Sequence, residues 1–336
     1  MKKQPAMLTE ETLYRILSSY SKKRISVLGD VGIDRYTKGS VERISPEAPV
    51  PIVLVENESL KLGLAANVAD NIIALGGAAE LSGVIGQDHD AKDFLKLLRS
   101  KKLSTQALVV DSGRRTILKE RIVGENQQML RIDYESTHPL TAAIQKKIDA
   151  SVAKSVQKAD ALIIEDYAKG LLTRSMVQSA IRAAKKRRIP VLIDPHFKTP
   201  VEWYAGATLL TPNKKEAELL TKDKITDRAS LIRIGHQIIR ETRSASLIIT
   251  LGKEGMAIFK NGKAEPVLIP TSAREVYDVS GAGDTVISVL ALSLAAGADI
   301  EEAALISNLA AGVEVSKRGT ATVSIQEIVD AYLTAI

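Results

Sequence analysis

Five short runs rich in Val, Ile and Leu constrain this chain most: RISVLGD (24–30), ALIIEDY (161–167), IPVLIDP (189–195), TLLTPN (208–213) and SLIITLG (246–252). Each closes on polar, Gly or Pro residues, and amphipathic stretches such as 173–188 and 226–243 lie between them. Near-continuous apolar strands alternating with helical patterns predict βαβ units and a mostly parallel sheet. In such sheets ligands bind beyond the carboxyl ends of the strands. Asp30, Asp166, Asp194, Asn213 and Gly252 stand at those ends and are expected to line one crevice. The 336 residues, 45% of them hydrophobic, suit one large domain with an elaboration.

Two segments break the alternation. Residues 35–57 carry prolines and short alternating runs, and residues 113–135 read as a hairpin around Gly124–Glu125–Asn126. Both are expected to form a small antiparallel sheet inserted into the domain as a lid over the crevice. The alternative is an edge extension of the main sheet.

Several function classes recede. There is no cysteine, which removes disulfides and thiolate chemistry and suits a reducing compartment. No run approaches the roughly 18 apolar residues of a membrane span. The N-terminus does not read as a signal peptide, so cytoplasm is the expected location and no membrane partner is expected. The formal charge is +6, with basic runs at 22–24 and 185–188. The second closes a predicted helix, where cations complement the dipole. No aromatic residues interleave with these runs, so no nucleic-acid partner is expected; a phosphorylated small molecule suits a mildly basic protein.

The stretch DVSGAGDTV (278–286) opens a long apolar helical run. Its glycines let backbone amides approach a ligand, and a helix N-terminus favours an anion. Asp284 in the first turn is also an ordinary helix-start acid. Beside a phosphate cradle, the same aspartate can accept a proton from an attacking hydroxyl. The chain has neither a dinucleotide fingerprint nor a P-loop.

DVSGAGDT resembles the C-terminal signature of the ribokinase-like (PfkB) sugar kinases. GLAANVADNIIALGG (63–77) resembles their N-terminal signature, and TPNKKEAE (211–218) resembles their N-x-x-E element. Within that family GDVGIDRY, VERISPEAPVPIVLVEN, NQQMLRIDYE, DYAKGLLT and KRGTATV are similar to the D-glycero-β-D-manno-heptose 7-phosphate kinases. The resemblance implies a three-layer α/β/α domain over residues 1–336, with lid strands from about 35–57 and 113–135. It also implies ATP and Mg²⁺ as cofactors, a phosphosugar substrate and a homodimer formed through the lid. Some relatives carry a fused nucleotidyltransferase; this chain is expected to be a stand-alone form or an excised kinase.

Residue by residue, the resemblance makes Asp284 the catalytic base and Gly281, Ala282 and Gly283 the anion hole. Asn213, Lys214, Lys215, Glu216, Thr250, Gly252, Gly255, Asn308 and Gly312 would meet ATP, with Glu216 reaching the metal through water. The plainer readings are an Asx turn for Asn213, a first-turn acid for Glu216 and an ordinary helix residue for Asn308. Asp30, Asp34 and Asn67 would bind sugar hydroxyls, with a salt bridge as the rival role of Asp34. Lys119, Arg121, Arg131 and Lys169 would hold the sugar's phosphate, or be solvated lid charges. Two departures stand out: Leu64 where relatives have a second glycine, and His196 where they have lysine. Leu64 would stiffen a hinge or crowd the site if its φ is positive. These departures keep a kinase of another sugar or nucleoside open, and also a weakly catalytic sensor of sugar phosphate or nucleotide.

Overall fold

The computed structural model describes residues 8–125, 127–273, 275–317, 319 and 321–334. Strands and helices are numbered in chain order. The main sheet has nine strands in the spatial order β13 (Val267–Ile269), β12 (Met256–Lys260), β11 (Ser246–Thr250), β10 (Leu209–Leu210), β9 (Val191–Asp194), β8 (Ala161–Glu165), β1 (Arg24–Gly29), β4 (Ala78–Ile85) and β5 (Leu108–Val110). Pairing is parallel from β5 to β11; the β11–β12 and β12–β13 pairs are antiparallel. All five expected strands are present, and β4, β5, β12 and β13 extend the sheet on both sides.

Successive side chains of a strand point to opposite faces. Val27, Ile163, Leu192 and Ile248 face one core layer, built with α1 (Glu10–Ser18), α2 (Ala65–Ala74), α3 (His89–Ser100), α8 (Ala282–Ala295), α9 (Ile300–Glu314) and α10 (Ile325–Leu333). Leu28, Leu162, Ile164, Ile193 and Leu247 face the other, built with α4 (Ala142–Val156), α5 (Arg174–Arg187), α6 (Lys214–Thr221) and α7 (Arg228–Thr242). The result is three layers, α/β/α. Thr173 caps α5 and the basic run 185–188 closes it, with Arg188 left-handed at φ 57°. That run is a helix end, as its position implied. Among the described residues no helix is long and apolar enough to cross a membrane.

The second sheet has four strands in the order β3 (Pro51–Leu64), β2 (Val31–Ile44), β6 (Ile117–Gly124) and β7 (Gln127–Tyr134). It is mixed rather than wholly antiparallel. The hairpins β2–β3 and β6–β7 are antiparallel, but β2 and β6 pair in parallel. The cause is topological: the two hairpins meet through their first strands, which both leave the main domain in the same direction. The β6–β7 turn falls where a hairpin was expected; Asn126 at its tip lies outside the described residues, as do Arg318 and Thr320 of the KRGTATV stretch. Only Asp30 separates β1 from β2, and β3 runs directly into α2 at Leu64. Those two residues join the β2–β3 hairpin to the domain. The far end of the lid exposes Ile44, Leu54 and Leu130, each more than half accessible.

Candidate active site

Helix α8 is buried along most of its length, so its first turn is held firmly against the sheet. Gly281 caps it at φ 98°, a left-handed conformation that costs glycine little. The first amides of a helix have no carbonyl one turn back. Here the turn Gly281–Ala282–Gly283 sits above the sheet edge, where a β-carbon on Gly283 would lie 3.9 Å from Asp194 Oδ2. This is the turn that the resemblance implied as an anion hole.

Asp284 follows it. Asn67, in the first turn of α2, donates from Nδ2 to its Oδ2 at 2.6 Å. The Tyr167 hydroxyl donates to its Oδ1 at 2.9 Å. Both bonds favour the ionised form and fix the carboxylate in place. Burial works the other way and pushes the carboxyl up to about 6; Asp34 adds to the rise, while Asn67 and Tyr167 offset it. The group therefore stays ionised at neutral pH but is a stronger base than a surface aspartate. Asn67 was expected beside the sugar; here it orients the Asp284 carboxylate. Tyr167 was missed, because nothing local marks a tyrosine after a strand as a partner of a residue 117 positions away.

Further acids crowd this edge. Burial, Asp194 and Asp284 hold the Glu165 carboxyl well above the usual range. Burial, Glu216 and Asp284 do the same for Asp194. Asn213 and Glu216 close a capping box on α6: Glu216 N donates to Asn213 Oδ1 at 3.0 Å, and Asn213 N donates to Glu216 Oε2 at 2.9 Å. The plainer reading of these two residues is thus realised, and Glu216 still acts electrostatically on Glu165 and Asp194. Lys214 lines a separate cavity with Asp227 and Arg228, and Lys215 is exposed.

Across α8 lies a cavity of about 540 Å3 that reaches the Gly281–Gly283 turn at Ala282 and Gly283. Thr250, Gly252, Gly255, Asn308 and Gly312 all line it, with Val286, Ala311 and Val315 supplying apolar walls. Asn308 donates from Nδ2 to Pro270 O at 2.9 Å, tying the cavity's rim to α9. A β-carbon on Gly312 would stand 2.7 Å from Ser272 Oγ, so a side chain there would push on that rim. Its largely uncharged lining suits a nucleobase.

The lid face opposite is charged. Register places Asp34 beside Lys61 and Lys119, Tyr36 beside Ser59 and Arg121, Lys119 beside Asp133, and Arg121 beside Arg131. The expected phosphate-holding cations are each matched by an acid: Arg121 with Asp34 at 2.7 Å, Lys119 with Asp133 at 3.1 Å, Arg131 with Asp133 at 2.9 Å and Lys169 with Glu135 at 2.7 Å. The salt-bridge role of Asp34 is therefore present, with Arg121 rather than Arg35, which pairs with Asp90. Two cations were missed. Lys38 and Lys61 line, with Tyr36 and Ser59, a cavity of about 480 Å3 closed on the far side by Tyr277, Asp278 and Gly319. Lys61 lies 5.5 Å over the Tyr36 ring; burial, and then Lys38, pull its ammonium below the ordinary range. Two ammonium groups close together in a half-buried cavity suit an anion.

Other expected residues have structural duties. Asp30 accepts from the amides of Lys169 and Leu171, and burial pushes it up to about 6. Asp166 accepts from Ala168 N and from the Tyr204 hydroxyl at 2.8 Å. His196 is half-buried and stacks on Phe197 at 4.4 Å; its Nδ1 accepts from Lys198 N, and burial lowers its pKa. Leu64 has φ 58° and ψ −141°, a region that favours glycine.

The chain was compared with known proteins. The model of the pfkB family of carbohydrate kinases matches residues 22–327. The bifunctional protein HldE of Sulfurimonas denitrificans is 44% identical over 314 residues, which is 94% of this chain and 65% of that protein. HldE of Pelobacter propionicus is 42% identical over 309 residues, 92% of this chain and 63% of that protein. The chain thus spans under two thirds of the length of these relatives. Among solved structures, phosphofructokinase-2 from Escherichia coli in complex with potassium superposes with a TM-score of 0.77 at 19% identity, covering 93% of this chain and 99% of that one. Arabidopsis thaliana ribokinase complexed with ribose and ATP gives 0.74 at 18% identity, covering 92% and 98%. These likenesses establish the ribokinase-like fold.

Proposed function

The chain belongs to the pfkB family of carbohydrate kinases, and on that premise we propose that it phosphorylates the anomeric hydroxyl of D-glycero-β-D-manno-heptose 7-phosphate. The donor is ATP and the product is the 1,7-bisphosphate, on the way to ADP-heptose for lipopolysaccharide. The relatives named HldE support the heptose assignment. One observation carries the chemistry: a carboxylate held by Asn67 and Tyr167 at a helix N-terminus, between an apolar cavity and a charged lid.

In this reading the base of ATP enters the cavity beside Gly312 and Asn308, and its terminal phosphate meets the Gly281–Gly283 turn. The sugar lies under the lid with its phosphate toward Lys38 and Lys61. Asp284 takes the proton of the C1 hydroxyl as that oxygen forms its bond to phosphorus, and the bond from phosphorus to ADP breaks. The amides of the turn stabilise charge on the phosphoryl group. Mg²⁺, when bound with ATP, neutralises phosphate charge. The lid excludes water, which would otherwise compete as acceptor. We place the enzyme in the cytoplasm, as one kinase domain with an inserted lid, dimeric through the apolar far end of that lid.

Asp284→Asn tests the base. Its kcat should fall on the order of 10³-fold, within the usual range for a general base. Calorimetric affinity for ATP should change little. Turnover within tenfold of the parent would remove Asp284 from that role. Leu64 and His196 favour a second reading, a kinase of a different sugar, because both depart from the residues that the resemblance implies.

A further inference from the structure

Helix α9 has one stripe that is wholly buried. Ala303, Ser307, Ala310 and Glu314 recur at the spacing of a single helix face, and all four are 0% exposed. Three of them are small, as close packing requires; the fourth is an acid. Asn308, Ala311, Gly312 and Val315 line the nucleotide-side cavity instead. Residues 296–299 join α8 to α9 and the two helices pack together, so the end of α9 returns to the start of α8. The backbone fixes that junction: Tyr277 N and Asp278 N donate to Val315 O at 2.8 and 3.3 Å. Glu314 therefore stands beside the segment that leads into the Gly281–Gly283 turn.

Little there balances a negative charge. Among the described residues neither oxygen of Glu314 has a hydrogen bond of ordinary geometry, although the Ala321 amide is near enough to favour the ionised form. The charged groups acting on it are Asp278 from the segment before α8, Asp284 from α8 and Lys317 from the segment after α9. Both acids repel a carboxylate. Lys317 is engaged elsewhere, with Glu327 of α10 at 2.5 Å and with Thr322 O at 2.9 Å. β12 also packs against α9, but its Lys260 is paired with Glu301 in the first turn of that helix. The last turn of a helix is moreover the negative end of its dipole. A buried carboxylate in such a place is costly. Burial, then Asp278 and Asp284, push the Glu314 carboxyl up to about 8, with the Ala321 amide and Lys317 offsetting part of the rise.

We propose that Glu314 is a positioning residue of the phosphoryl-transfer site: uncharged, it leaves the Gly281–Gly283 turn open to an anion, and once ionised it repels phosphate from that turn. The role rests on the kinase reading, which puts the phosphates of ATP at the turn. Asp284 must be ionised to take a proton, whereas Glu314 must stay neutral. Two acids of one site whose environments separate their ionisation in this way bound the pH window of the reaction from its two sides. Glu314 touches neither substrate. It acts through the field at the start of α8, and an uncharged side chain of similar size meets the same need.

The test reads pH dependence in the full chain. With saturating Mg-ATP and the heptose phosphate, kcat of the parent should fall above a midpoint at about pH 8, and at pH 9 should stand on the order of tenfold below its value at pH 7. Glu314→Gln should lose that alkaline limb and keep the acid limb at about pH 6. Glu314→Leu should do the same, which separates lost charge from a lost hydrogen bond. Calorimetric affinity for ATP needs no sugar: from pH 7 to pH 9 it should fall about fivefold or more in the parent, and less than about twofold in either variant. Melting curves give an independent reading. A carboxyl whose pKa is raised by folding contributes stability that is complete below its unfolded value and lost as pH rises through its folded value. The margin by which Glu314→Gln melts above the parent should therefore widen from about pH 4.5 to about pH 8 and then level off. An alkaline limb or an ATP dependence that survives unchanged in both variants would overturn the role of Glu314, as would a melting margin that does not change with pH. No ADP release on any sugar, with the difference in ATP affinity intact, would instead overturn the kinase reading and keep the effect of Glu314 on the turn.

Discussion

The two walls of the cleft are built on opposite chemistry. The wall formed by α8, α9 and the 250–256 segment is apolar and backbone-lined, with Lys253 its one charged residue among those described. The lid wall carries Asp34, Lys38, Lys61, Lys119, Arg121, Arg131 and Asp133 on one face of a sheet. In the proposed function the first wall selects by shape. The second would select by charge, and most of its charges are already paired. In the proposed function an incoming phosphate exchanges ion pairs there, so binding on that wall is expected to be the salt-sensitive step. Asp284 sits where the walls meet.

Separate perturbation of the walls sharpens that contrast. Charge-assisted hydrogen bonds contribute about 1.5–3 kcal/mol each. Replacing Lys38 and Lys61 together by methionine should lower kcat/KM for the phosphosugar on the order of 100-fold, with KM for ATP within twofold. On the opposite wall, Gly312→Val should raise KM for ATP on the order of tenfold through the contact with Ser272, and leave the sugar KM alone. If each variant moved both constants equally, the division between the walls would fail.

A smaller effect probes their junction. Asp284 must be ionised to act, so kcat should fall on the acid side with a midpoint at about pH 6. Tyr167→Phe removes a donor that favours the ionised form. The midpoint should then move upward, by up to roughly one unit. A downward shift in the pH–rate profile would contradict the role given to Tyr167.

The smallest effect concerns the hinge. Leu64 is buried yet strained, so glycine there loses packing and gains relief. Leu64→Gly should cost less than about 1.5 kcal/mol in denaturant unfolding. Truncation of an unstrained core leucine such as Leu28 to alanine should cost about 2–5 kcal/mol. Equal losses would show that Leu64 carries no strain.

The sequence was legible wherever one segment decides its own structure. Near-continuous apolar runs marked the parallel strands, and GAGD marked the start of α8. Short edge strands such as β5 and β13 carry too few residues for a pattern, and they were missed. The charged wall was legible only as a composition. Lys119, Arg121, Arg131 and Lys169 stood out as cations, but their partners Asp34, Asp133 and Glu135 are brought close by register between strands far apart in sequence. Lys38 and Lys61 lacked any local mark for the same reason. Asp194 stood out as a strand end and Glu165 did not; their pairing is a property of the sheet. Leu64 shows the intermediate case. Its identity raised the question of a positive φ, and only the fold answered it.

The central claim is that a charged lid and an apolar nucleotide slot bring a phosphosugar and ATP together at Asp284. A coupled assay of ADP release by the parent chain tests it most directly, with Mg-ATP and, in turn, D-glycero-β-D-manno-heptose 7-phosphate, fructose 6-phosphate, ribose and adenosine. The account predicts the highest kcat/KM for the heptose phosphate, with both unphosphorylated acceptors at least 100-fold lower. Ribose or adenosine turned over as well as the heptose phosphate would contradict it.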